Sequence, residues 1–199
     1  ALGARQDVVW GAGYRYTEDR FSANGTESNL NPDRRADQLF SVFLQDEITV
    51  ARERLRLTLG TKLEHNDYTG FEVQPGARLL WTPTENQSVW ASVARAVRTP
   101  TRFERGVQAN LAAVPPVLIR LYGNPDLTSE KLLAFELGYR VEPTSRISLD
   151  VAGFYNDYHQ HLTAESGFGQ LELMPQPHLV VPLTFTNLPP EQSYGAEAL

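Results

Sequence analysis

Leu39-Phe40-Ser41-Val42-Phe43-Leu44-Gln45-Asp46-Glu47-Ile48-Thr49-Val50, and after Ala51-Arg52-Glu53 the stretch from Arg54 to Glu64, decide the fold of this chain. Successive side chains of a β-strand point to opposite faces. The second stretch then puts Leu55, Leu57, Leu59, Thr61 and Leu63 on one face, against Arg54, Arg56, Thr58, Gly60, Lys62 and Glu64 on the other. The first puts Phe40, Val42, Leu44, Ile48 and Val50 opposite Ser41, Gln45, Glu47 and Thr49, with Asp46 interrupting the apolar face and Phe43 the polar one. So short a break predicts a tight hairpin between them. Alternating segments of about 10 residues match the length a tilted strand needs to cross a bilayer.

The same rhythm extends in both directions. Asp7–Tyr16 precedes it, and Phe71–Trp81, Ser88–Val97, Leu132–Val141, Ile147–Tyr158, Leu179–Asn187 and Ser193–Leu199 follow, which gives nine strands. Ser88–Val97 alternates more weakly, with Trp90 on the wrong side. The connectors are unequal: 17–35, 98–130 and 159–178 are long, 65–70 is modest, and 51–53, 82–86, 142–145 and 188–192 are short. Asn24-Gly25, Asn31-Pro32, Pro115-Pro116 and Gly123-Asn124-Pro125 mark the long ones as exposed loops. Short turns at one rim and long loops at the other are the plan of an outer-membrane barrel, periplasmic at the short end and extracellular at the long one. The reading is therefore all-β, an antiparallel transmembrane β-barrel wall. A soluble β-sandwich binding module is the competing fold, with typical strands of about 5 to 6 residues.

Composition bounds the function without choosing it. In 199 residues, 41% hydrophobic and 21% charged content is ordinary. A mean hydropathy of -0.35 does not argue against a barrel, which hides its apolar residues in alternation. No run approaches the ~18 apolar residues of a membrane helix. A net charge of -6 argues against nucleic acid as a partner, since that needs a basic face to displace counterions from phosphates. With no cysteine, disulfides and thiolate chemistry are absent. The chain opens Ala1-Leu2-Gly3 with neither initiator methionine nor signal peptide, and its last alternating segment is brief, so it is expected to be a piece of something longer.

Chemistry-bearing clusters are sparse. Arg95, Arg98, Arg102 and Arg105 gather at a strand end and the start of the longest loop, where they could draw an anionic ligand or simply charge the rim. His159-Gln160-His161 beside Asp157 could approach a metal or a ligand, or be a solvated loop. Arg98, Arg102, Arg105, His159 and His161 are thus the candidate ligand-binding residues of an extracellular rim. Trp10, Trp81 and Trp90, with the tyrosines, suit either aromatic girdles or core packing. No Gly-x-Ser-x-Gly elbow, His-Glu-x-x-His or phosphate loop occurs, so no catalytic residue is assigned. Asn24-Gly25-Thr26 is a chance glycosylation sequon.

Leu39–Val50 with Leu55–Gly60, Val89–Pro100 (VWASVARAVRTP), and Gly123–Tyr158 resemble the barrel of TonB-dependent outer-membrane receptors. The last stretch contains GNPDLTSE, then FELGYR, then AGFYNDY; Ser193-Tyr194-Gly195-Ala196-Glu197 is similar to a later strand start. The resemblance implies a ligand-gated active transporter in the bacterial outer membrane, a receptor for a ferric siderophore or another scarce metal chelate or nutrient. It implies no enzyme activity, cofactor or resident metal. Outer-membrane lipid and the inner-membrane TonB complex would be its partners, the latter through a plug region not seen in these residues. Residues 1–199 would then be a partial barrel domain, about nine strands of a wall of about 22. A passive porin-like or adhesion barrel is the alternative function, and an outer-membrane hydrolase would need a serine, histidine and polar partner converging on one rim.

Overall fold

The computed structural model describes residues 5–22, 28–52, 54–174 and 176–199. The Asn24-Gly25-Thr26 sequon and turn residue Glu53 lie outside the described residues. In chain order the elements are β1 (Gln6–Arg20), β2 (Ser28–Leu30), β3 (Arg34–Ala51), β4 (Leu55–Asn66), β5 (Gly70–Thr84), β6 (Gln87–Arg98) and the short helix α1 (Arg102–Gly106). There follow β7 (Val107–Val114), β8 (Val117–Tyr122), β9 (Glu130–Thr144), β10 (Ile147–His159), β11 (Leu162–Ser166), β12 (Gln170–Glu172), β13 (His178–Asn187) and β14 (Glu191–Ala198).

Eight strands form one sheet, in the order β1-β3-β4-β5-β6-β9-β10-β14, and all its neighbours are antiparallel. This is the expected wall, with two corrections. The Leu179–Asn187 strand exists as β13, but it belongs to a second sheet, and β10 pairs directly with β14. The loops 98–130 and 159–178 are also not irregular, since they supply β7, β8, β11 and β12 to that second sheet, whose order is β11-β13-β8-β7-β2, with β12 also on β13. Alternation alone cannot tell a wall strand from a strand of a small soluble-type sheet, because both have one face covered. The pairing that decides the matter is the parallel one of β13 with β8, between segments far apart in sequence.

The register makes the outward face legible. Tyr14, Phe40, His65 and Phe71 lie opposite one another across β1, β3, β4 and β5, with Tyr14 and Phe40 rings 4.7 Å apart and His65 and Phe71 4.6 Å apart. A second row, Leu55, Trp81, Val89, Tyr139 and Val151, crosses from β4 to β10. Within β5 these rows sit at Phe71 and Trp81. That separation is about 33 Å of strand, or roughly 25 Å of height once tilted by about 40°, which is the height of a barrel's apolar band. Between the rows, Val42, Leu44, Leu59, Leu63, Val73 and Leu79 are all more than two-fifths exposed.

Buried apolar residues lie elsewhere. Among the described residues, Val107, Ala109, Leu118, Leu121, Leu127, Leu162 and Val180 are the buried hydrophobics, and none is in the wall. Val107, Ala109 and Leu121 pack together with Leu30, Leu183 and Phe185 to form the core of the second sheet. A sandwich would have buried the wall's apolar face against that sheet. The wall instead keeps it outward, for lipid. Among the described residues no helix is long and apolar enough to cross a membrane; strands do the crossing.

Three residues that break the alternation have a common cause. Phe43, Trp90 and Phe154 point to the lumen, each opposite a glycine: Gly11, Gly138 and Gly195. A β-carbon at Gly11 would lie 2.5 Å from the Phe43 ring, and one at Gly195 would lie 2.8 Å from Phe154. At Gly138 it would collide with the Trp90 indole. Each ring occupies the space that a β-carbon would take on the facing strand, covering backbone that glycine leaves bare. Trp90 is therefore not a girdle residue, whereas Trp10 and Trp81 face outward, 73% and 48% exposed.

Candidate functional site

All the long connectors lie at one rim. Segments 21–33, 99–129 and 160–190 leave the same end of the wall, together with the three-residue turn 67–69, while 52–54, 85–86 and 145–146 turn at the other. The strands overshoot the apolar band at the long-loop end, where β1 carries Glu18, Asp19 and Arg20 and β3 carries Arg34 and Arg35. Glu18 accepts two hydrogen bonds from Arg34 there.

Arg98 ends β6 and reaches two carboxylates, Glu130 across the ladder and Glu104 at 2.9 Å. Thr101 begins α1 with a capping box: its hydroxyl accepts the Glu104 N–H at 3.2 Å, and Glu104 accepts the Thr101 N–H at 2.6 Å. Partial burial pushes the Glu104 carboxyl upward, but Thr101 and Arg98 more than offset this and hold it below the usual carboxylate range. Arg102 and Arg105, carried on the same turn, have separate partners. Arg102 pairs with Asp19 and donates to the Pro32 carbonyl at 2.6 Å, fixing the 21–33 segment to α1. Arg105 donates to the Leu127 carbonyl at 2.8 Å and lies 5.5 Å from the Tyr68 ring centre. Burial, with Arg35 nearby, lowers its pKa from the ordinary value. The Tyr68 phenol is pushed up to about 12, first by burial and then by its 2.6 Å hydrogen bond to Asp37.

Of the two candidate histidines, His161 joins this network and His159 does not. His161 Nδ1 is 3.1 Å from Glu130, which also accepts the Leu162 N–H at 2.6 Å. His159 bonds Asp157 at 3.1 Å within β10 and stays about half exposed. Among the described residues no group of three or more His, Asp or Glu is arranged to hold a metal ion. The five candidates therefore share one rim, where four of them clasp loops to the wall.

The partners Glu104, Glu130, Asn124 and Asn187 were not singled out from sequence. Asn124 accepts the Asp126 N–H at 2.9 Å and donates to the Phe185 carbonyl at 3.0 Å. Asn187 accepts the Thr128 N–H at 2.9 Å and donates to the Gln160 carbonyl at 2.8 Å. GNPDLTSE is thus the stretch that fastens β13, α1 and the wall together. The Thr101-x-x-Glu104 spacing was the available signal for the helix start. Beneath the assembly, facing the lumen, is a cavity of about 510 Å³ bordered by Arg15, Asp37, Lys62, Glu64, Tyr68 and Arg102. A second, of about 530 Å³, opens on the outer sheet between Pro115, Pro116, Leu118, Met174 and the Arg120–Glu172–His178 cluster.

Known proteins share this fold. The iron-regulated outer membrane virulence protein of Vibrio cholerae is 27% identical over 157 residues, which cover 78% of this chain and 24% of that protein. A ferric enterobactin receptor of Pseudomonas aeruginosa, solved with enterobactin, superposes with a TM-score of 0.77 at 18% identity, over 97% of this chain and 30% of that one. The siderophore receptor PirA of Acinetobacter baumannii gives 0.75 at 15% identity, over 97% and 31%. The chain thus spans from 24% to 31% of the length of these relatives. The family description TonB dependent receptor-like, beta-barrel matches residues 1–199, so the chain belongs to that family of barrels, and its place is the bacterial outer membrane.

Proposed function

We propose that the complete protein is a ligand-gated active transporter for a ferric siderophore or another scarce metal chelate, and that residues 1–199 are a partial barrel domain of its wall. The observation that carries this is the folded cap on one rim: three long connectors of that rim fold into a sheet with its own buried core. A passive pore gains nothing from such a cover, whereas a receptor needs structured loops to recognise a ligand before admitting it. Iron-regulated and siderophore-receptor relatives support the ligand class. Energy would come from the inner-membrane TonB complex through a plug region. The family is one of receptors, and we infer that these residues carry a ligand without transforming it.

Within the rim, Arg98, Arg102, Arg105 and His161 act on the ligand by holding the loops in place, and His159, with one partner, is the candidate free to touch it. Uptake of a radiolabelled ferric chelate into cells carrying the full-length receptor tests the reading. Uptake should vanish on deletion of the energy-coupling protein or collapse of the proton-motive force. Uptake that persists in both conditions identifies a passive barrel.

A further inference from the structure

The wall is not evenly sealed. β5 pairs with β4 up to Gly70, and β6 pairs with β9 up to Arg98. Between β5 and β6, however, the ladder ends at Gly76 opposite Ala94. The residue above Gly76 is Pro75, which has no N–H to donate and which sheets tolerate where pairing stops. Residues 70–75 and 95–98 therefore face one another with no backbone ladder between them.

Side chains fill the gap. By alternation Arg95 belongs to the outward row with Leu133, and Glu72 to the lumenal row with Glu64. Yet the Arg95 guanidinium donates to the Val73 carbonyl and lies 3.9 Å from Glu72, so the side chain passes through the wall. Above it sits the segment Leu127–Ser129, with those two residues 2% and 1% exposed. Ser129 donates to the Thr69 hydroxyl at 3.0 Å, and Leu127 is tied to Arg105. A polar cavity of about 450 Å³ lies here, bordered by outward Phe71 and Lys131 and by lumenal Glu72 together with Arg105.

We propose that this seam is a side opening at the extracellular end of the wall, barred by Arg95 and latched by Leu127–Ser129. Elsewhere a barrel wall is closed by backbone hydrogen bonds that cannot part singly; here only side-chain contacts must break. Because the latch belongs to the segment that fastens β13 and α1, a shift of the outer sheet would free it. The opening would join the lumen to the headgroup layer and pass water and small polar solutes. It does not depend on which ligand the receptor carries.

Hydrogen exchange read by mass spectrometry on the full-length receptor in lipid nanodiscs tests it. The internal reference is 62–65 of β4, at the same height and paired on both sides. The amides of 71–74 and 96–98 that point across the seam, about every second one, should exchange at least about tenfold faster than the reference, while those directed to β4 and β9 stay protected, and Arg95→Leu should raise the rate at 71–74 further without changing the reference. A difference below tenfold in the native protein overturns the proposal whether or not the variant folds. A rate at 71–74 unaffected in a folded Arg95→Leu variant overturns it as well.

Discussion

Trp90 and Asp46 both look misplaced in sequence, for opposite reasons. Trp90 faces the lumen because Gly138, its partner across the ladder, leaves room for the indole, and Arg78 covers the ring from 5.5 Å. No local pattern reveals that, since Gly138 lies in another strand. Gly138→Ala should therefore destabilise the barrel by about 1 to 3 kcal/mol, as overpacking does, while Gly76→Ala, with ordinary clearance, should cost less. Urea titrations of the receptor in lipid compare the two. Asp46, by contrast, is a true exception: it shares the outward row of Val8 and Leu59, and one carboxylate oxygen is buried without a partner. Asp46→Leu should stabilise the wall by about 1 to 2 kcal/mol, and Leu59→Arg in the same row should cost about 2 to 4 kcal/mol. Arg56→Ser on the lumen face should change little. Equal tolerance at Leu59 and Arg56 in the same titrations would contradict the assignment of faces.

At the level of elements, the hairpin β3–β4 was legible because its two strands are near in sequence and alternate cleanly. The outer sheet was not. Its strands are short, β12 spanning Gln170–Glu172 and β2 Ser28–Leu30, and their pairing is set by residues distant in the chain. The rim arginines were legible as a cluster, but their roles depended on Glu104, Glu130 and Asp19, which sequence spacing does not bring together. Backbone crowding at the centre of this assembly gives a sharp test. Gly123 N–H donates to the Val107 carbonyl at 2.6 Å, and a β-carbon at Gly123 would lie 2.5 Å from the Gly106 nitrogen. Gly106 in turn touches Asn31. Backbone cannot yield as a flexible side chain can, so Gly123→Ala should loosen the outer sheet while leaving the wall intact. Limited proteolysis of whole cells should then cut within 107–122 in the variant and not in the native receptor; identical digestion would place the sheet's stability elsewhere.

The whole molecule is a wall with a folded sheet at one rim and short turns at the other. The short turns are joined to each other, Asn86 accepting the Glu142 N–H at 2.9 Å, and the long connectors are gathered into one folded cover. The asymmetry of connector lengths was visible in sequence and carried the topology. The count of wall strands was one too many because β13 alternates as a wall strand does. Single cysteines in the full receptor on intact cells test whether the folded cover is extracellular and the short turns periplasmic. Of the positions suited to this, Asn24 lies outside the described residues, whereas Ala112, Gln170, Glu85 and Thr144 are all exposed. With a membrane-impermeant thiol reagent, Ala112→Cys and Gln170→Cys should be labelled, while Glu85→Cys and Thr144→Cys should react only after the cells are permeabilised. Labelling of Glu85→Cys or Thr144→Cys on intact cells, with Ala112→Cys protected, would invert this topology.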